Sequence, residues 1–369
     1  MNQTILTWLV FILAFGGMVL VHEFGHFIAA RLCKIEVEEF GIGLPTPGAL
    51  TLFTWQGTRF TLNWLPFGGF VRPKGENDPN VEGGLAAASP WKRLIVLFAG
   101  PLMNLFAAVL IYSLIFTRVG VPDANRVLVS SVTENSPAAE AGFQYGDIFI
   151  SGNGQPIRNY DELRVIVDGN ENKPVDFLID RRGEQVKLTA VPVMNTEAKR
   201  IMIGVGLGVP FKQPSSPVET VTLGAQYTYY NVRALLALPA QMLRGTLNSE
   251  QSRLVGLKGI YDILEQTVSH DVQASAAAAP VSTDPIDQPV RTLELIASLS
   301  ISLGIFNLFP FPALDGGRII FVLPELIFRR RVSPQVENLI HGMGMAFLLL
   351  LMIYINVMDF INPINVKIP

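Results

Sequence analysis

Cysteine occurs once in the 369 residues, as Cys33, so a single chain can build no intrachain disulfide, thiolate zinc cluster or iron–sulfur site. Charge is also scarce. Asp, Glu, Lys and Arg make up 16% of the chain, against about a quarter in soluble domains, while hydrophobic residues reach 49% and mean hydropathy is +0.36. With 28 basic and 31 acidic side chains the formal charge is -3, which excludes a nucleic-acid binder driven by bulk charge and an acidic disordered tail. Only four histidines are present, so any metal site must be built from these and from carboxylates. The plentiful component is apolar sequence of membrane length.

A bilayer core takes about 20 largely apolar helical residues. Four stretches of that length lack Asp, Glu, Lys and Arg: 1–21, 94–117, 295–314 and 338–358. They predict four transmembrane helices, at 1–30, 93–118, 293–314 and 336–358. The first lacks the basic start and small-residue cleavage site of a signal peptide and is expected to stay attached. Arg31, Lys34, Arg59, Arg72, Lys74, Lys92 and Arg93 follow it, and Arg318, Arg329, Arg330 and Arg331 precede the last. Positive charge concentrates in cytoplasmic loops, so both loops are predicted inside and the segment between the second and third helices outside. Helices one and three then end on the same side. Residues 215–270 predict amphipathic helices on the outer surface, because Arg233, Pro239 and Gln241 interrupt the apolar run around Leu235. Residues 271–292, with Ala, Pro and Asp and no periodicity, predict a flexible linker.

Residues 125–210 have soluble composition. A strand is predicted over 127–132, and Ser136 with Pro137 starts a short helix ending at Gly142. A hairpin turns at Asn153 and Gly154 within 147–157, a helix covers 160–167, and strands at 175–180 and 185–191 flank Arg182 and Gly183. This order, with the run from Ser136 to Ile148, resembles a bacterial PDZ domain. The resemblance implies capture of a peptide or chain end by strand addition; the alternative is a domain that limits access by bulk alone.

The strongest motif is His22-Glu23-Phe24-Gly25-His26 in the first helix. Histidines four apart stand about 6 Å apart along a helix and about 40° around it, so both imidazoles reach one ion. Glu23 beside them is placed to take a proton from water and return it to a leaving amine. Ionisable groups at membrane depth are costly and mark function. His270 and His341 have no such company and are expected to be a solvated residue near the linker and a helix-end or packing residue. A hydrolytic zinc site takes three protein ligands, and the third candidate is Asp315. It is expected to end the third membrane helix, on the side where the first helix also ends.

These residues resemble the site-2 proteases, intramembrane zinc metalloproteases. The family pattern is matched by H-E-x-x-H in the first helix, by Gly100, Pro101 and Asn104 in the second, and by Asn307, Pro310, Pro312, Leu314, Asp315, Gly316 and Gly317 at the third. The PDZ-like segment points to the bacterial members with a single PDZ domain. The resemblance implies that His22, His26 and Asp315 ligate Zn2+, that Glu23 is the catalytic acid and base, and that Asn307, with Asn104 more weakly, binds substrate. One departure is Gly256-Leu257-Lys258-Gly259-Ile260, where many relatives read Gly-Gly-Pro-Ile-Gly-Ile.

Within 31–92, residues 51–55 and 59–64 alternate about Gln56 and Gly57 and predict a β-hairpin beside the active site. In the family such a hairpin dips toward the membrane and pairs with substrate backbone. The expected architecture is thus an α-helical polytopic membrane protein, with four transmembrane helices, a site-2 protease core and an inserted α+β PDZ domain. Its partners are the lipid bilayer, membrane-protein substrates and a peptide at the PDZ domain, with no nucleic acid. Its expected place is a bacterial inner membrane, the site near the cytoplasmic side and the PDZ domain outside. The reading of another class is a catalytically silent PDZ scaffold, which would bind no transition metal.

Overall fold

The computed structural model of the protein describes residues 2–195, 199–245, 253–276 and 289–363. They form two compact units, one drawn from Met1–Ile115, Val221–Ala277 and Pro289–Pro369, the other from Phe116–Thr220.

The first unit opens with α1 (Gln3–Leu32), where Asn2 accepts the Thr4 N–H at 3.1 Å as N-cap. Its residues 3–21 carry no formal charge on a side chain and no proline, so nothing interrupts the helix across a bilayer core. Four strands follow: β1 (Val37–Leu44), β2 (Leu50–Trp55), β3 (Thr58–Leu62) and β4 (Leu65–Pro73), in spatial order β2-β3-β1-β4. The β2–β3 turn uses Gln56 and Gly57, both at positive φ, as a tight hairpin demands. Buried Glu39 on β1 gathers Thr61, Arg59 and Arg72 from the strands on either side, which pins the pairing. Phe27 at the end of α1 packs on Phe40 and Phe60, seating the sheet against the helix. Helix α2 (Pro90–Val119) then runs past α1.

The second unit contains β5 (Val121–Pro122), β6 (Val127–Val132), α3 (Pro137–Ala141), β7 (Ile148–Gly152), β8 (Gln155–Pro156) and α4 (Tyr160–Asp168). It continues through β9 (Val175–Arg181), β10 (Glu184–Ala190), β11 (Val193–Asn195), β12 (Arg200–Met202), β13 (Val205–Gly208) and β14 (Phe211–Lys212). Its main sheet runs β10-β9-β7-β6-β13, all antiparallel, over a core of Val129, Phe143, Phe149, Phe177 and Ile179. Buried Asp147 is held by Arg181 through two hydrogen bonds of 2.8 Å.

The chain continues through α5 (Pro217–Leu243), α6 (Leu257–Ala276), α7 (Arg291–Asn307), α8 (Asp315–Phe328) and α9 (Pro334–Ile361). Three helices among the described residues are long and apolar enough to cross a membrane: α1, α2 and α9. The expected span 293–314 is different. Its helix is the 17-residue α7, about 25 Å long, ending at Asn307. Pro310 and Pro312 cannot continue a helix, so the chain breaks into a turn, and Asp315 begins α8 instead of ending the third membrane helix.

Helix α6 runs past residue 270, into the segment expected to be linker. It packs on α1 through Phe11, Leu264 and Val268, and Asp271 within it accepts the Arg291 and Thr292 N–H groups that open α7. Residues 277–288 of the expected linker lie outside the described residues. The helix start at Gly256 to Gly259, where the sequence departs from the family, is bound by buried Asp359 of α9, which accepts the Gly256 and Gly259 N–H groups.

Candidate metal centre

His22, Glu23 and His26 occupy consecutive turns of α1, and the i,i+4 spacing points both imidazoles the same way. Their Nε2 atoms are 3.1 Å apart. Asp315 Oδ2 lies 3.1 Å from His22 Nε2 and 3.3 Å from His26 Nε2. Among the described residues these three side chains can converge on one ion. Zinc bonds of about 2.0–2.1 Å to N and O place tetrahedral donors about 3.3 Å from one another. The triangle fits that spacing.

Hydrogen bonding sharpens the fit. His26 Nδ1 lies 2.7 Å from the Val96 carbonyl. A carbonyl only accepts, so Nδ1 carries the proton and Nε2 turns a lone pair toward His22 and Asp315. Three acceptors then face one point, an arrangement that asks for a cation. At His22 the Nδ1 atom lies 3.3 Å from the Asn104 amide, whose Oδ1 is buried without a partner. Turning that amide over puts Oδ1 on an Nδ1–H and satisfies both groups. Each imidazole then donates its far N–H to a fixed oxygen, as metal-binding histidines do. Asn104 is fully buried against His22 and does not line the cavity, so it meets a histidine where substrate contact was expected.

The glycines of the motifs have steric reasons. A Cβ at Gly100 would strike the His26 imidazole, and one at Gly25 would strike the Ala99 carbonyl. The α1–α2 approach that sets His26 on Val96 needs both to be glycine. On α8, side chains at Gly316 or Gly317 would collide with the carbonyls of Leu308, Phe309 and Phe311 in the turn folded over it. The Leu-Asp-Gly-Gly run therefore brings Asp315 back toward α1.

Glu23 stays off the donor triangle. Its Oε2 accepts the Val71 N–H at 2.9 Å, leaving Oε1 free. Val71 belongs to β4, an edge strand that meets the rest of the sheet only through β1. This corrects the expected neighbour of the site: the β2–β3 hairpin is at the other edge, and β4 borders the cavity. A cavity of about 300 Å³ is lined by His22, Glu23, His26, Asp315, Phe70 and Asn307, among others. Asn307, the last residue of α7, is thus at the site. Two charged residues in its wall were not expected at the site from the sequence: Glu76 and Arg318, which form an ion pair. Neither belongs to a spacing pattern, so no local signal marks them. His270 sits beside Asp271 at 3.5 Å, and His341 accepts the Ala313 N–H; neither is in the donor group.

Two histidines able to share one ion inside a membrane-length helix, with a carboxylate beside them, are the pattern of an intramembrane metallopeptidase. The pattern of peptidase family M50 matches residues 10–351, and the chain belongs to that family. It is 32% identical over 354 residues to a candidate zinc metalloprotease of Clostridium perfringens, covering 96% of this chain and 98% of that one. It is 28% identical to the metalloprotease MmpA of Caulobacter vibrioides, covering 91% of each chain. The candidate protease eep of Enterococcus faecalis is 27% identical, with 96% of this chain and 97% of that one covered. Among solved structures, the PDZ domain of an SdrC-like protein from Listeria monocytogenes aligns with 22% of this chain at 18% identity and a TM-score of 0.21. The protein is a membrane-bound zinc metalloprotease.

Proposed function

We propose that His22, His26 and Asp315 hold one zinc ion, that Glu23 is the acid and base, and that the enzyme cuts single-span membrane proteins near the cytoplasmic boundary of a bacterial inner membrane. The carrying observation is the triangle of Nε2, Nε2 and Oδ2 atoms with Glu23 free beside it. Bound zinc supplies a Lewis acid that polarises the scissile carbonyl and acidifies water. Glu23 Oε1 takes the proton of the attacking water while the Val71 N–H holds Oε2 still, and the same carboxyl gives the proton to the departing amine.

A membrane substrate arrives as a helix whose peptide groups are hydrogen-bonded to one another, and it must be drawn out before its carbonyls are open to attack. The free edge of β4 offers backbone partners to a chain in extended form. Asn307, able to donate and accept at once, is assigned to hold that chain across the cavity. Anti-sigma factors and signal-peptide remnants have the required single span.

In the second unit, β13 is likewise an edge strand, and a groove of about 270 Å³ runs between α4 and β12–β13, lined by Leu163, Val167, Ile201, Ile203 and Leu207. This suits an extended peptide or chain end, with the PDZ-like unit on the outer side of the membrane as a filter for substrates already trimmed. Reconstitution tests the reading. A purified single-span substrate stripped of its outer domain should be cut within its span, and one with a bulky outer domain should be cut only after residues 127–208 are deleted. A deletion variant that stays folded yet fails on the trimmed substrate contradicts the filter.

Cys33 tests the sidedness, since it is the lone cysteine and stands at the C-cap of α1, seven positions past His26. A membrane-impermeant thiol reagent should spare it in intact cells and label it after permeabilisation, with a denatured sample controlling for burial. Labelling in intact cells would put the site at the outer face.

A further inference from the structure

The turn that delivers Asp315 is held from α9. Between α7 and α8, Ala313 takes φ +79, a left-handed conformation that residues with a side chain seldom adopt, and Asp315 follows two positions later. The Ala313 N–H donates to His341 Nδ1 at 2.8 Å, and the His341 ring rests on Phe321 of α8 with centroids 5.3 Å apart. One turn further along α9, a Cβ at Gly344 would strike Pro312. Helix α9 therefore offers the turn one acceptor and, beside it, room for a close approach.

The other ring nitrogen adds a second observation. His341 Nε2 is buried with no hydrogen-bond partner, and an orphaned buried polar atom lowers stability. A leucine or phenylalanine would fill the same space without that penalty. What only the histidine supplies is the acceptor at Nδ1, and since a backbone N–H can only donate, Nδ1 must be unprotonated and Nε2 must carry the proton.

We propose that His341 is a positioning residue: its neutral imidazole locks Ala313 in the left-handed turn and so fixes the direction from which the Asp315 carboxylate enters the donor triangle. The inference rests on the reading of Asp315 as a zinc ligand. It assigns His341 no contact with substrate or metal.

The test compares three variants of the full-length protein in detergent micelles, reading zinc affinity by chelator competition together with kcat and KM on a trimmed membrane substrate. His341→Phe keeps the ring and loses the acceptor. It should weaken zinc binding about tenfold or more, in the range seen when groups behind metal ligands are removed, and lower kcat with little change in KM. His341→Asn, whose Oδ1 falls near the Nδ1 position, should recover most of both. In His341→Phe with Ala313→Gly, the left-handed turn no longer needs a lock, so part of the zinc affinity should return. Wild-type zinc affinity and kcat in His341→Phe would overturn the proposal, as would equal losses in His341→Phe and His341→Asn. Should His341→Phe fail to fold, the nitrogen chemical shifts of His341 in the unaltered protein decide, and a proton on Nδ1 would overturn it. Asp315→Ala measured alongside separates the two readings: if that variant keeps full zinc affinity, the ligand assignment fails whatever the His341 variants do.

Discussion

Glu23→Gln should leave a protein that still carries about one zinc per chain and cleaves a membrane substrate at least a hundred to ten thousand times more slowly, the range that a general base contributes. The amide has nearly the shape of the carboxylate, and its oxygen still accepts the Val71 N–H, so the side chain should keep its place against β4. Zinc should stay because Glu23 is not among the converging donors. What disappears is the one group beside the triangle able to take a proton and give it back. Metal analysis and a cleavage assay on the same preparation read both halves, and cleavage at the unaltered rate would sink the assignment of the base.

That result would rest on residues legible in the sequence, for a physical reason. His22, Glu23 and His26 share one helix, and helical geometry converts spacing directly into proximity. Asp315 is 289 positions beyond His26, so its approach follows only from topology and from a resemblance. Asp315 lies beside His22 and His26, but at the start of α8 and not at the end of a membrane span. Composition between 295 and 314 is apolar enough to read as one span, yet Pro310 and Pro312 end the helix, and the short turn after Asn307 carries Asp315 to the start of α8.

The sheet shows a second kind of limit. Residues 51–64 alternate and hold a Gln-Gly turn, so the β2–β3 hairpin is visible, whereas β4 contains Pro66, Gly68, Gly69 and Pro73 and no alternation. Its strand form comes from pairing with β1 and from contact with α1, both non-local. The strand nearest the chemistry was therefore the one the pattern could not reveal. Asn104 shows a third, since a polar residue four positions after Gly100 has a known helix but no known face until α1 is packed against it.

Removal of a donor should have the opposite signature to Glu23→Gln, with metal and activity falling together. His26→Ala takes away one Nε2 and leaves the Val96 carbonyl without the Nδ1–H it holds. Asp315→Ala should do more. The two imidazoles are neutral ligands, so Asp315 is the only negative charge within the triangle, and a divalent ion in a poorly solvated site needs its charge offset. Asp315→Asn keeps an oxygen donor and most of the shape while discarding the charge. It should therefore resemble Asp315→Ala, with zinc per chain well below one after dialysis and cleavage reduced a thousandfold or more, whereas a purely steric role for Asp315 would let the asparagine restore both. Metal content, measured on Asp315→Asn, Asp315→Ala and His26→Ala prepared in parallel, distinguishes these cases before any substrate is added. Full zinc occupancy in Asp315→Asn would show that charge is not what Asp315 brings to the site.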